Sequence, residues 1–221
     1  MSLDPQPTIA PIRSRILYFI SWIISRIFHR LEWEGLENMP KDGPVLILAK
    51  HQSNLDVPLG YYMIKKLVRK DVWCMIKQSL TSPIFLGIYT NSGGIPVDRA
   101  DPAKSKPYLI FARKTLHAGG LVIIFPEQTR NPGKMGRGRS PGFRFIMGKP
   151  AEPVNVVCAG YEYIKQGFGR TKVVIRIGAP RPYAKSDDPE AFLYDSMLEI
   201  AELSKLEYKF PRPAGRGARE S

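Results

Sequence analysis

The stretch VLILAKHQSNLD, residues 45–56, joins a short apolar run to a polar segment that contains a histidine and an aspartate. The apolar run at 45–49 follows a group of turn-forming residues, and such a run is typical of a strand buried on both faces. A second run, LVIIF at 121–125, is the clearest buried strand elsewhere in the chain. Because these strands alternate with helical stretches, the sequence predicts an α/β fold with a largely buried sheet.

The same patterns predict the remaining elements of the fold. Further strands are expected at 72–76, 95–97, 154–158 and 172–177. Helices are expected from the end of the 50–56 segment to about Arg69, from Asp101 to Leu116, and from about 187–189 to Tyr208.

The chain has 221 residues and a formal net charge of +13, with 43% apolar and 24% charged residues. This composition excludes a wholly disordered chain, and about 70% of the surface of a chain this long can be buried in one core. Cys74 and Cys158 belong to no Cys-x-x-Cys motif, so neither a disulfide scaffold nor a cysteine-based zinc site is expected. The positive charge predicts a polyanionic partner: nucleic acid, anionic lipid or an acidic carrier protein.

Residues 13–31, RSRILYFISWIISRIFHRL, form an apolar segment with helical periodicity. Only about 15 Å of helix separates Arg15 from Arg26, whereas a bilayer core is about 30 Å thick, so the segment is too short to span it. The helix either covers the core of its own domain or lies in the membrane interface. Its flanking cations and its aromatic residues favour the interface.

These features divide the chain into three parts. Residues 1–31 are predicted to be an N-terminal amphipathic segment that associates with the membrane, and residues 32–208 a single folded domain. Residues 209–221 are predicted to be a disordered basic tail.

His51 stands apart from the other two histidines because it follows a predicted buried strand, where α/β sheets place their ligand clefts. If His51 lies in a loop and Asp56 in the first turn of the next helix, the carboxylate can orient the imidazole. It would also stabilise the imidazolium, which makes His51 a competent general base. Alternatively, Ser53 and Asp56 match a helix capping box, and Asp56 then only satisfies the helix N-terminus.

Two further polar segments could bind a phosphate-bearing substrate. FPEQTR at 125–130 follows the LVIIF strand and offers a carboxylate, a hydroxyl and a guanidinium, which binds phosphate through paired hydrogen bonds. GGIPVDR at 93–99 offers a second arginine after a tight turn. Each segment also has an interpretation without a binding role. The first would then contain a Glu127–Arg130 ion pair on the surface, and the second a turn with a solvated arginine.

Four blocks together resemble the glycerolipid (1-acylglycerol-3-phosphate) acyltransferase family. They are KHQSNLD at 50–56, GIPVDR at 94–99, FPEQTR at 125–130 and EPVNVV at 152–157, in the family's order and at similar spacing. The segments at 75–77 and 82–87 also look like the family's intervening region, and the likeness covers about residues 30–180.

The resemblance implies a mixed, mostly buried β-sheet flanked by helices, with an N-terminal membrane-interface helical segment and an acyltransferase domain at 32–208. It implies that His51 deprotonates a lysophospholipid hydroxyl, which attacks an acyl thioester, while Asp56 orients His51. With 1-acylglycerol-3-phosphate as acceptor, the product would be phosphatidic acid. The residues implied to bind the substrate are Arg99, Glu127, Thr129, Arg130 and Lys77. No metal and no cofactor are expected, since acyl-CoA or acyl-carrier protein would enter as the donor substrate.

Two residues depart from the family pattern. Lys50 replaces an asparagine before the histidine, which adds a cation near the site. Gln128 replaces a glycine, and if that position needs a positive φ the glutamine adopts it at a cost of about 1 kcal/mol or more. The acceptor is therefore less well defined than the reaction, and glycerol 3-phosphate or a lyso-aminolipid is an alternative.

Residues 131–149 contain five cations and no acid, and form either a solvated loop or a docking surface for anionic lipid head groups or an acyl carrier. We expect a peripheral membrane enzyme on the cytoplasmic face, with membrane lipids as partners and no nucleic acid. The less favoured alternative is a basic membrane- or nucleic-acid-binding protein without catalytic activity.

Overall fold

A computed structural model describes residues 7–98, 100–165, 167 and 169–213, and of Pro102 the backbone only. Arg99 and residues 214–221 of the predicted tail lie outside the described residues. None of the described helices combines the length and apolar character needed to cross a membrane.

The elements alternate between strand and helix over most of the described chain. The helices are α1 (Pro11–Ile23), α2 (Asp56–Leu67), α3 (Pro102–His117), α4 (Ser140–Met147) and α5 (Pro189–Leu203), and a π-helical turn, Ile24–Phe28, extends α1. The strands are β1 (His29–Glu34), β2 (Val45–Ala49), β3 (Val72–Lys77), β4 (Gly94–Val97), β5 (Leu121–Ile124), β6 (Val154–Ile164), β7 (Thr171–Ile177) and β8 (Arg181–Tyr183).

One mixed sheet contains all these strands, in the order β1-β7-β6-β2-β5-β3-β4, with β8 paired to β6. Strand β2 is parallel to β5 and β6, and β3 is parallel to β5 and β4. The carboxyl ends of β2, β5, β3 and β4 therefore meet at one edge of the sheet, which we call the carboxyl edge. Strand β7 is antiparallel to β6 and parallel to β1, so the amino end of β1 lies at this same edge.

Helices cover both faces of the sheet, which confirms the predicted fold class. Val45 and Ile47 of β2 belong to the core beneath α1 and α2, whereas Leu46 and Leu48 belong to the core beneath α3, α4 and α5. This alternation follows from the two-residue period of a strand, and it explains why the run is apolar throughout.

Three elements were not expected from the sequence, and one helix is shorter than predicted. Strands β1 and β8 and helix α4 had no prediction, and α5 ends at Leu203 rather than near Tyr208. The interpretation of 131–149 as a solvated loop is wrong, because α4 lies within it and buries Phe143, Ile146 and Met147.

The N-terminal segment differs from its prediction in two ways. Residues 29–31 begin β1 and pair with β7, so the predicted boundary after residue 31 falls inside a strand. The buried face of α1 and the π-helical turn contains Leu17 and three serines, Ser14, Ser21 and Ser25. Most of the large apolar residues point outward instead: Ile12, Ile16, Phe19, Ile20, Trp22, Ile27 and Phe28 are exposed.

Candidate active site

His51 and Asp56 meet at the carboxyl edge of the sheet. His51 lies two residues beyond the end of β2, and Asp56 is the first residue of α2. The distance from His51 Nδ1 to Asp56 Oδ2 is 2.9 Å. The sequence analysis considered an arrangement with the histidine in a loop and the carboxylate in the first helical turn. The structure shows this arrangement.

Asp56 is fully buried, and both of its carboxylate oxygens accept hydrogen bonds. Oδ2 accepts from the backbone N–H groups of Gln52, at 2.6 Å, and Ser53, at 2.7 Å. The Ser53 bond is the one that a capping box predicts, so Asp56 both caps the chain before α2 and contacts His51. Because a carboxylate oxygen such as Oδ2 accepts hydrogen bonds and does not donate them, Nδ1 of His51 carries the proton and donates in the His51–Asp56 bond.

Tyr163 supplies the bond to the other oxygen, and sequence reasoning missed it. Its Oη donates to Asp56 Oδ1 at 2.7 Å, while the Oη of Tyr161 donates to the Asp56 backbone carbonyl at 3.1 Å. Burial, and then the charge of Asp56, raises the pKa of both phenols, so both remain protonated donors at neutral pH. One feature of the sequence could have pointed to this pair: Tyr161 and Tyr163 are two residues apart, which puts both on one face of strand β6.

The imidazole of His51 keeps one nitrogen free for chemistry. Its ring packs on Phe125 with centroids 4.4 Å apart, and 16% of its side-chain surface is exposed. Nε2 bonds to none of the described residues. With Nδ1 carrying the proton, Nε2 has the lone pair that a general base requires.

Lys50 and Glu127 form a buried ion pair behind the histidine. Lys50 Nζ lies 2.8 and 2.9 Å from the two carboxylate oxygens of Glu127, and it also donates to the backbone carbonyls of His51 and Asn131. Burial lowers the pKa of Lys50, and the bond to Glu127 opposes that shift. Lys50 thus extends inward from the loop and is fully buried, so it adds no cation to the exposed part of the site.

The buried position of Glu127 corrects the expectation that it binds substrate. Its Oε1 also accepts from the backbone N–H of His51, and its Oε2 from Asn131 Nδ2 and the N–H of Gly136. Both oxygens are therefore engaged inside the protein. Glu127 connects the loop of His51 to the loop after β5, and a further bond, from the Asn131 N–H to the His51 carbonyl at 2.9 Å, joins the same two loops.

Three other predicted substrate-binding residues lie at the same edge. Lys77 is the last residue of β3, and Thr129 and Arg130 follow β5; all three are exposed. Strand β5 pairs with both β2 and β3, so these side chains and His51 lie at or just beyond the carboxyl ends of three neighbouring strands. Arg99, the remaining predicted residue, lies outside the described residues.

Gln128 has a φ of 59°, so the position that the family fills with glycine does require a left-handed backbone. Its side chain lines a cavity of about 690 Å³ beside the site, together with Phe125 and Pro126. The apolar part of the cavity includes Leu109 and Phe143, and two of the five cations of residues 131–149, Arg137 and Arg139, also line it.

The two cysteines take no part in the site. Cys74 and Cys158 are buried and unpaired, and burial raises the pKa of each thiol to about 12. Among the residues that the structure describes, no group of three or more His, Cys, Asp or Glu side chains is arranged to hold a metal ion.

Two known acyltransferases resemble this chain, one in sequence and one in fold. A curated 1-acyl-sn-glycerol-3-phosphate acyltransferase of Chlamydomonas reinhardtii is 30% identical over 105 residues, which are 47% of this chain and 30% of that protein. The chain thus matches less than a third of the length of that relative. The crystal structure of PlsC, the 1-acyl-sn-glycerophosphate (LPA) acyltransferase of Thermotoga maritima, has the same fold. It matches with a TM-score of 0.64 and 22% identity, over 87% of this chain and 80% of that one.

A family model described as acyltransferase matches residues 30–161. The match includes the His51–Asp56 pair and the whole 125–130 segment, and it covers more than half of the chain. This protein therefore belongs to the acyltransferase family.

Proposed function

We propose that the protein transfers a fatty acyl chain from an acyl thioester to the free hydroxyl of a lysophospholipid, with 1-acylglycerol-3-phosphate as the acceptor and phosphatidic acid as the product. The observation that carries this proposal is the 2.9 Å contact between His51 Nδ1 and a buried, fully bonded Asp56. Because Nδ1 of His51 is bonded to Asp56, Nε2 is the imidazole nitrogen that can act as a base at the carboxyl edge. The names of the two relatives support the choice of acceptor.

In the proposed reaction, Nε2 of His51 takes the proton of the acceptor hydroxyl as its oxygen attacks the thioester carbonyl carbon. Asp56 stabilises the imidazolium that forms. Collapse of the tetrahedral intermediate breaks the C–S bond, and the imidazolium returns the proton to the leaving thiolate. A thioester is already activated, so we propose that no metal or cofactor takes part beyond the donor, acyl-CoA or acyl-carrier protein.

The proposed phosphate-binding residues are Lys77 and Arg130, with Thr129 beside them. Their support is position and exposure, since Lys77 ends β3, Arg130 follows β5, and β5 lies between β3 and β2. Arg99 remains a proposal from the family resemblance. Glu127 belongs to the scaffold of the site, because its carboxylate is buried and paired with Lys50.

We further propose that the protein is peripheral to the membrane, at the cytoplasmic face, and that α1 lies in the interface. The support is the orientation of the helix, which packs serines inward and leaves Ile12 73%, Phe19 57% and Phe28 60% exposed. If α1 only covered the core of its own domain, these side chains would be buried. An exposed apolar face also argues against a nucleic-acid-binding protein, which needs charge rather than apolar surface.

The test offers the purified full chain a panel of acceptors with one acyl thioester and follows thiol release. The panel contains 1-acylglycerol-3-phosphate, glycerol 3-phosphate and a lyso-aminolipid, so that it also identifies the acceptor. We expect His51→Ala to lower turnover by about 10²- to 10⁴-fold. His117→Gln is the matched control, because α3 runs away from the carboxyl edge and ends with His117 at the opposite edge. Near-normal turnover of His51→Ala would refute the assignment of the base.

A further inference from the structure

A second cleft, of about 230 Å³, lies between the end of α1, strand β1 and α2. Four cations line it, Arg26, Arg30, Lys66 and Arg170, together with the indoles of Trp22 and Trp33. No acid is found among the described residues that line it. Such a lining suits an anion whose other end is apolar.

Three of these cations have no carboxylate partner among the described residues, namely Arg26, Lys66 and Arg170. Arg30 does have one, since its Nε lies 3.0 Å from Glu32, an acid that also bonds Lys172. Arg170 donates to the backbone carbonyl of Arg26 at 2.6 Å, which fixes two of the cations next to each other. The cleft therefore retains positive charge that the protein itself does not neutralise.

The rim of the cleft is continuous with the exposed apolar face of α1. Trp22 lines the cleft and stacks on Phe19, with ring centroids 5.7 Å apart. Ile27 and Phe28 follow Arg26 directly and are 59% and 60% exposed. A cationic cleft next to exposed apolar and indole side chains is the pattern of a surface that meets lipid head groups and acyl chains together.

One end of the cleft lies at the same edge of the sheet as the active site, because His29 lines the cleft. His29 begins β1 at the carboxyl edge, and the order β1-β7-β6-β2 puts three strand spacings, or about 14 Å, between β1 and β2. Both α1 and α2 pack on the sheet face to which Tyr161 belongs. A bilayer lying against α1 would therefore lie on the sheet face that α2 covers, and α2 begins with Asp56 of the site.

We propose that this cleft binds the phosphate of an anionic phospholipid that stays in the leaflet on which α1 lies. It is distinct from the proposed site of the acceptor phosphate, at the carboxyl ends of β3 and β5. The inference rests on the proposed membrane association of α1. A bound anionic lipid would set the depth and orientation of the enzyme on the membrane. We favour a lipid over a soluble anion, because a soluble anion would not contact the exposed apolar side chains at the rim of the cleft.

The test measures sedimentation of the full chain with phosphatidylcholine vesicles, with and without phosphatidylglycerol. We expect the wild-type protein to bind the anionic vesicles more tightly, and the double variant Arg26→Gln/Lys66→Gln to lose that preference by about tenfold or more, since each interfacial cation contributes about fivefold. Lys106→Gln/Lys114→Gln is the control, because it makes the same change of charge with exposed side chains of α3, on the other face of the sheet. We expect the control to change the preference by less than about twofold.

Four results would overturn the assignment of the cleft. The first three are an unchanged preference in Arg26→Gln/Lys66→Gln, an equal loss in the α3 control, and removal of the preference by millimolar inorganic phosphate, which would indicate a site for a free anion. Arg26→Lys/Lys66→Arg keeps both charges and should keep the preference, and its loss there would count equally against the cleft. Failure of the wild-type protein to bind either type of vesicle would instead refute the proposed membrane association itself.

Discussion

Tyr163 and Asp56 are 107 positions apart in the chain, yet the tyrosine Oη donates a 2.7 Å hydrogen bond to Oδ1 of the aspartate. His51 donates to Oδ2 of the same carboxylate. The aspartate is thus held through both oxygens. Because Tyr163 lies in β6, this strand helps to orient His51 through Asp56, in addition to the loop that contains His51. We therefore expect Tyr163 to act as a positioning residue, since its hydroxyl contacts Asp56 and would affect the proposed base only through Asp56 and His51.

We expect Tyr163→Phe to lower kcat by about tenfold and leave KM for the acceptor unchanged. The reason is that a hydrogen bond to a charged group contributes about 1.5–3 kcal/mol, and its loss frees the carboxylate to turn away from His51. Steady-state kinetics with varied acceptor concentrations measure the two constants separately.

Tyr161→Phe is the control for this prediction, because the Tyr161 hydroxyl bonds to the Asp56 backbone and not to its carboxylate. It should lower the free energy of unfolding without lowering kcat to the same extent. Equal losses of kcat in both variants would assign Tyr163 to stability alone.

The buried pair Lys50–Glu127 gives a second prediction, on stability. Glu127→Gln leaves the Lys50 ammonium buried without its counter-charge, so we expect a loss of about 3–5 kcal/mol in the free energy of unfolding. Lys50→Met should cost less, because the Glu127 carboxylate keeps the N–H donors of His51, Asn131 and Gly136. Urea denaturation of both variants and of the double variant measures the coupling. Additive losses would show that the two charges do not depend on each other.

These contacts mark the limit of what the sequence could predict. The runs at 45–49 and 121–125 were predictable because a short, unbroken apolar run before a polar segment is typical of a strand buried on both faces. The contact between His51 and Asp56 was predictable because it spans five residues and needs only a loop followed by a helical turn. The bonds of Asp56 to Tyr163 and of Lys50 to Glu127 join residues 107 and 77 positions apart, and they follow from the sheet order rather than from any local pattern.

The N-terminal helix shows a different limit. Periodicity identifies the side chains that share a face, but not the face that the protein covers. The choice depends on α2, where Tyr61 bonds to Ser14 at 2.7 Å, so that a serine face rather than the isoleucine face packs inward. Strand β1 was missed for a related reason, since its six residues, HRLEWE, mix charged and apolar side chains at an edge of the sheet.

The two buried thiols predict how stability changes at alkaline pH. Burial raises the pKa of Cys74 and of Cys158 from 9.0 to about 12 in the folded protein. A raised folded-state pKa means that the stability is fully present below pH 9 and is lost as the pH rises from 9 towards 12. Between pH 8 and pH 10 the two thiols together should remove about 2–3 kcal/mol from the free energy of unfolding.

Urea denaturation at several pH values checks this prediction, with Cys74→Ala/Cys158→Ala as the comparison. That variant should lose less stability than the wild type over the same pH interval, whatever its stability at pH 8. The interval stops at pH 10 because the phenols of Tyr161 and Tyr163, whose pKa values are also raised from 10.0, begin to add to the loss near that pH in both proteins. Parallel curves for the two proteins would contradict the prediction.

The backbone at Gln128 gives a fourth prediction. With a φ of 59°, replacement by glycine should relieve strain and raise the free energy of unfolding by up to about 1 kcal/mol. Gln128→Ala keeps the strained backbone while removing the side chain, so it should give no such gain. If both variants were stabilised equally, the cost would lie in the glutamine side chain and not in its backbone.

The last prediction separates the cations that we propose to bind the acceptor phosphate from the one that supports the scaffold. Lys77 and Arg130 are exposed at the carboxyl edge, whereas Lys50 is buried against Glu127. Arg130→Ala and Lys77→Ala should therefore raise KM for 1-acylglycerol-3-phosphate by about tenfold or more, because each removes a charge-assisted bond to phosphate. Their free energy of unfolding should change by less than about 0.5 kcal/mol, as is usual for exposed residues. Lys50→Met should show the opposite pattern, with lower stability and little change in KM.

An acceptor without phosphate, such as a monoacylglycerol, provides the internal control. The enzyme should use it less well than the phosphate-bearing acceptor, with the same kcat/KM in the wild type and in Arg130→Ala. If Arg130→Ala impaired both acceptors equally, the arginine would act on the fold of the loop and not on the phosphate.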